Sequence, residues 1–280
     1  MASIKATVKR IGKESLSDNI TGEAAKVAYY FFLSLFPLVL VLFALTGLIG
    51  GDSAFRWIMG RMQTAMPAET ASYLEQFVRQ VTNQPRPGIL SIGLVLTLWS
   101  ASNVFAAFAD GLNTMYDVEE GRSWWKKRLV AVALLVGTSI LIVASAAAIV
   151  AGEAIGRALG LGVAWNLLRY ALAFVLLTFV LALLYYFLPD REQSSEKGRI
   201  LLGAAIGALL WVGATTLFRV YVANLGSYSE TYGFVGAVIV LLLWLYLTGV
   251  AVLLGGEVAA VLEKQAREGR RDGERLHRAA

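Results

Sequence analysis

The sequence predicts an all-α polytopic membrane protein with six transmembrane helices and both termini in the cytoplasm. Three observations predict it. Hydrophobic residues make up 57% of the chain and charged residues 16%, with a mean hydropathy of +0.62, against roughly 45–50% and about 25% in a soluble domain. Six stretches, 27–49, 89–109, 129–150, 167–188, 200–222 and 234–254, reach the length of about 20 apolar residues that crosses roughly 30 Å of hydrocarbon. Lys and Arg are distributed unevenly around those stretches. Eighteen lie in the N-terminal tail, the second and fourth loops and the C-terminal tail, against five in the other loops. That asymmetry places both tails and the even loops inside. It also accounts for the net charge of +5, so the basic balance reads as topology and not as a nucleic-acid surface.

The same residue inventory excludes several chemistries. Cysteine is absent and the single histidine, His277, lies in a charged tail, so no disulfide, thiolate nucleophile, imidazole-based metal site or Ser/His/Asp triad is expected. No GxxxxGK[ST] stretch occurs, which argues against nucleotide-driven transport. No catalytic residue, metal or cofactor is assigned.

Taken in order, residues 1–26 read as a basic interfacial segment, because Ile4, Val8, Ile11 and Leu16 alternate with Lys5, Lys9, Arg10 and Lys13. Residues 27–263 form the membrane domain. The first span is too long for a signal-peptide core and has no small-residue cleavage site after it, so it is expected to remain as an anchor. Pro37 within it removes a helix hydrogen bond and marks a kink or hinge, with Ser34 placed to satisfy freed backbone. The long first external loop, Gly50 to Gly88, carries Phe55, Ile58, Met59 and Met62, then Tyr73, Phe77, Val78 and Val81, at helical spacing. Two amphipathic helices against the outer leaflet or capping the bundle fit that pattern.

In the second span Ser100, Asn103, Asp110, Thr114 and Asp117 keep to one helix face and run from mid-membrane to the inner mouth. Such a stripe lines a translocation path or holds helices together by hydrogen bonds; the sequence leaves both open. Small residues at Ala144, Ala148, Gly152, Gly156 and Gly160, and at Gly203 and Gly207, are spaced for close helix contact within one chain or in a homo-oligomer. Arg169 and Arg219 fall inside the fourth and fifth spans, in the outer half of the membrane. A planar guanidinium there pairs with a phosphate or carboxylate, snorkels to the interface, or pairs with Glu153 or Glu230. Asp110 and Glu257 stand at the inner ends of the second and sixth spans, where pairing with loop arginines or proton coupling is expected. Residues 264–280 mix both charge signs with glycine and are expected to form a flexible, solvated tail.

Four stretches, "AYYFFLSLFPLVLVLFAL", "NTMYDVEEGRSWWKKRL", "YYFLPD" and "YVANLGSYSETYGFVGAVIVLLLWLYLTGVAVLLGGEVAAVLE", resemble the BrkB/YihY family of bacterial inner-membrane proteins. The resemblance runs from about Ala24 to Glu263. It implies a six-helix protein associated with serum resistance and envelope integrity, often called a transporter and suggested to handle lipids or lipid-linked anions. The family's older ribonuclease label finds no acid/base or metal cluster in these loops. Tyr116, Asp117, Glu119, Tyr228, Thr231, Tyr232, Gly233, Gly236 and Glu257 match the family pattern. Val258, Ala259 and Ala260 depart from it, since the family often carries a small pair ending in asparagine there.

The expected function is movement or exposure of an anionic lipid or similar amphiphile across the inner membrane. Arg219, Arg169, Asn103, Asn224, Tyr228 and Tyr232 are the expected headgroup contacts; Ser100, Asp110, Thr114, Asp117 and Glu257 line or couple the route. Export of a small soluble anion, or a scaffold role with an envelope-complex partner, is the alternative.

Overall fold

The computed structural model describes residues 4–45, 87–158, 162–191, 197–223 and 228–279. Among these the secondary structure is helical, without strands: α1 Ile4–Ser17, α2 Ile20–Leu45, α3 Pro87–Met115, α4 Trp124–Ala158, α5 Gly162–Phe187, α6 Lys197–Ala223 and α7 Tyr228–Ala279. Among the described residues four segments are long and apolar enough to cross a membrane: Val95–Met115, Leu167–Phe187, Lys197–Ala223 and Val238–Arg271. The first and third predicted spans lie in α2 and α4, residues 46–49 excepted. The amphipathic helices expected between Gly50 and Gly88 fall almost entirely outside the described residues.

Helix boundaries follow local chemistry. Asn19 separates α1 from α2 with a φ of 50°, a left-handed conformation that asparagine tolerates. Its Oδ1 accepts the Gly22 N–H at 3.3 Å, capping α2. α3 ends in a Schellman motif: the Val118 N–H reaches the Asn113 carbonyl at 3.0 Å and the Asp117 N–H reaches that of Thr114 at 3.1 Å. Asp117 supplies the left-handed residue, φ 52°. Pro37 lies inside an unbroken α2. Ser34 Oγ donates to the Phe31 carbonyl at 2.7 Å, and so does not serve the Leu33 carbonyl that Pro37 frees.

The buried core is concentrated where α2, α3, α5, α6 and α7 converge, around Ala24, Leu112, Tyr185, Ala204, Leu253 and Ala259. α6 and α7 meet backbone to backbone. A Cβ on Gly203 would lie 2.6 Å from that of Ala259, and one on Gly255 would lie 2.6 Å from Gly207 Cα. The small-residue spacing at Gly203 and Gly207 therefore serves packing within the chain, where dispersion and close approach substitute for a hydrophobic driving force. Tyr185, fully buried, donates its hydroxyl to the Val252 carbonyl at 2.6 Å across this seam. The spacing from Ala144 to Gly160 falls outside the described side chains.

One boundary differs from expectation. Over 264–280, where a flexible tail is expected, α7 continues as helix to Ala279. No proline interrupts it, and α1 docks along its first extra turns: Arg10 holds Glu268 at 2.8 and 2.9 Å, Thr7 meets Gln265 at 3.3 Å, and Lys264 reaches Glu14 at 3.2 Å.

Candidate functional site

The polar face of α3 meets basic side chains from three other segments. Asp110, near the end of α3, pairs with Lys26 of α2 at 3.4 Å and with Lys127 of α4. Thr114 is exposed and donates to the Asp110 carbonyl at 3.2 Å. Asp117, past the helix end, holds Lys264 of α7 at 2.6 Å. Ser100 is half-buried. Asn103 lies seven residues before Asp110, about 10 Å along the axis. It accepts from Arg128 Nη1 at 2.8 Å, and the buried Ser102 accepts from the same nitrogen at 2.6 Å.

In the linear sequence Arg128 is one loop charge among several; in the fold its surroundings are of another kind. Its guanidinium carbon stands 4.2 Å over the Trp99 ring and 5.5 Å from that of Trp124. Trp124 packs edge-on against Trp125 at 4.4 Å, and Trp125 is 74% exposed. Among the described residues no carboxylate pairs with Arg128. Its partners are neutral oxygens and indole faces, so the cation keeps its charge uncompensated while part of its fork remains available.

Beside this cluster the loops after α3 and α5 are stitched together. Arg122 grips Glu120 with two bonds of 2.7 and 2.8 Å and donates to the Leu188 carbonyl at 2.7 Å. Asn113, buried, donates to Glu120 at 3.0 Å and accepts from the Asp190 N–H at 2.7 Å. Partial burial opposes ionisation of Glu120, but Arg122, Lys127 and Asn113 outweigh it and hold the carboxyl below its ordinary range. Asp18, at the corner between α1 and α2, is pushed up, mainly by burial.

The residues expected at the opposite end do not gather into a described site. Arg169 is half-buried with its guanidinium 5.4 Å over the adjacent Tyr170 ring, and Arg219 is exposed. Asn224 lies outside the described residues. Tyr228 and Tyr232 lie in the first turns of α7, their side chains outside the description, as are those of Glu153 and Glu230.

The sequence profile of the virulence factor BrkB family matches residues 11–279. The chain belongs to that family. The ribonuclease-like protein YfkH of Bacillus subtilis is 34% identical over 252 residues, covering 87% of this chain and 90% of YfkH. A UPF0761 membrane protein of Tolumonas auensis is 29% identical over 258 residues, 88% of this chain and 81% of its own length. Another, from Rhodospirillum centenum, is 26% identical, covering 85% of this chain and 53% of its own length. No solved structure matches. Membership in the BrkB family and several apolar helices make the chain a multi-pass protein of the bacterial inner membrane.

Motifs that are far apart in this BrkB sequence converge at one end of the fold. "NTMYDVEEG" supplies Asn113, Tyr116, Asp117 and Glu120; "YYFLPD" supplies Tyr185 and Asp190; "LLGGEVAAVLE" supplies Glu257 and Glu263. Arg191, just after the second motif, lies 4.0 Å over the Tyr116 ring. Glu257 is fully buried, and neither carboxylate oxygen has a hydrogen-bond partner. The Ala259 methyl is packed against α6 at Gly203. Asp18, Asn113 and Arg128 were not singled out from sequence. Each gains its surroundings from elements distant in the chain, and no local spacing records that.

Proposed function

We propose that this BrkB-family chain moves or exposes an anionic lipid, or another anionic amphiphile, across the inner membrane. The observation that carries the proposal is Arg128. A guanidinium that reaches inward as far as Asn103, with no described counter-ion and with clustered indoles beside it, suits a phosphate headgroup whose acyl chains lie against the tryptophans. With the termini in the cytoplasm, Arg128 faces the inner leaflet, and Arg169 and Arg219 lie toward the outer one. A headgroup then meets a cation on either side of the bilayer. Asn103 orients the inner arginine, and the rest of the α3 stripe lies along the route. Asn224, Tyr228 and Tyr232 belong to the outer contact.

In this reading the chain is not an enzyme. The ribonuclease-like name belongs to YfkH; hydrolysis of RNA would need a general base or metal-bound water, a role this reading gives to no residue. Energy comes from an ion gradient, a partner or the lipid gradient itself.

The test is leaflet exchange of labelled phosphatidylglycerol in proteoliposomes, with efflux of encapsulated phosphate measured in parallel. Wild type is expected to exchange lipid well above protein-free vesicles. Arg128→Ala, losing a charge-assisted contact of about 1.5–3 kcal/mol, is expected to slow exchange about tenfold or more, and Arg219→Ala is expected to slow it as well. Phosphate efflux without lipid exchange would replace this reading with export of a soluble anion. Neither activity would leave the scaffold role.

A further inference from the structure

Asp18 and Glu257 meet where the corner between α1 and α2 rests on α7. Glu257 has no solvent exposure and both its oxygens lack a hydrogen-bond donor; Asp18 Oδ2 is likewise buried and without one. The Asp18 carboxyl is a neighbour of the Glu257 carboxyl and acts on it. Asp18 Oδ1 is already occupied by the Ser17 hydroxyl at 3.2 Å.

Among the described residues no donor is hydrogen-bonded to Glu257. Lys264, about two turns further along α7, is shared by Glu14 of α1 at 3.2 Å and Asp117 at 2.6 Å. Arg191 Nη1 is bound to Glu263 at 2.5 Å, while its Nε and the Tyr116 hydroxyl are buried without a hydrogen-bond partner. On α2, Lys26 is held by Glu23 at 2.7 Å and by Asp110. Glu14 adds negative charge to the neighbourhood. An ionised carboxylate stripped of both water and donors is prohibitively costly, and two such groups face to face cannot both ionise. One proton resolves the conflict, because it turns one carboxyl into the donor that the other lacks.

We propose that Asp18 and Glu257 form a proton-binding site in which a single proton is shared between the two carboxyls and fastens the α1–α2 corner to α7. The ligand is a proton drawn from the side of the membrane that carries α1. Divalent metal is disfavoured, since among the described residues no three His, Cys, Asp or Glu side chains converge as ligands would. When the proton leaves, two negative charges face each other, with Glu257 shut off from solvent. The corner loses its attachment to α7. Stability from the shared proton is therefore present at low and neutral pH and falls as pH rises.

The test uses full-length protein in nanodiscs and infrared spectroscopy of protonated carboxyl C=O stretches, identified by their shift in D2O. At neutral pH wild type is expected to show one such band that bleaches on alkalinisation. Glu257→Gln, which keeps the shape and supplies an amide donor to Asp18, is expected to lose it. Asp18→Asn is expected to move the band to a new frequency, because the partner of the Glu257 carboxyl has changed. A band unaffected by both substitutions, or its absence in wild type, overturns the site. A band lost in Glu257→Gln but unmoved in Asp18→Asn overturns the sharing. These readouts do not depend on lipid exchange, so they stand or fall apart from the transport reading.

Discussion

Arg191 Nη1 donates to Glu263 Oε2 at 2.5 Å, with 5% and 2% of the two side chains exposed. The pair ties the loop after α5 to α7, and the Tyr116 ring beneath the guanidinium adds the end of α3. Removing one member of a buried pair leaves the other charge stranded, at a cost of about 3–5 kcal/mol. Glu263→Ala and Arg191→Ala should each lower the thermal midpoint sharply in detergent. Replacing both with apolar residues of similar volume should restore much of it. A single substitution without effect would show that the charges do not depend on each other.

The α6–α7 seam offers a sharper contrast. Gly255→Ala puts a methyl 2.6 Å from Gly207 Cα and 2.5 Å from the Tyr185 hydroxyl, so the helices must separate, at about 1–3 kcal/mol. Gly213→Ala meets nothing within 4 Å and should be neutral or stabilising by up to about 1 kcal/mol. Thermal unfolding of the two variants side by side checks the ordering.

Acid should loosen the stitched loops. Glu120 is held below the ordinary carboxylate range, so its contribution is complete above its unfolded-state value and is lost as pH falls through the lower folded one. Glu120→Gln should remove that contribution at neutral pH and flatten the acid limb of the stability profile. A variant whose acid limb matches wild type would exclude Glu120 as its source.

Asn19 combines a left-handed backbone with a cap on α2. Asn19→Ala forfeits both, for a loss of about 1–2 kcal/mol, whereas Asn19→Gly keeps the backbone freedom and should lose less. The order of the two melting temperatures is the check.

The helices were legible because lipid imposes a composition no soluble core needs; a run such as Leu167 to Leu188 has few other uses. The face shared by Asn103, Asp110 and Thr114 was legible from helical spacing. Their partners were not, because Lys26, Lys127 and Arg128 come from other elements and read as topology charges in a linear chain. The length of α7 was hidden for a related reason. Its charged end resembles a tail until α1, some 250 residues earlier in the sequence, is seen lying against it. The role of Asp18 required both facts together.

α7 holds 52 residues without a proline, which makes it roughly 78 Å long, more than twice the thickness of the hydrocarbon it crosses. Its glycine pair, Gly255 and Gly256, is the natural place for a bend, yet it is braced by Gly207, Tyr185 and Leu112. One unbroken element therefore carries both the close seam with α6 and, further along, the turns that Arg10 and Glu14 grip, so the docking of α1 and the packing of the bundle share a single backbone.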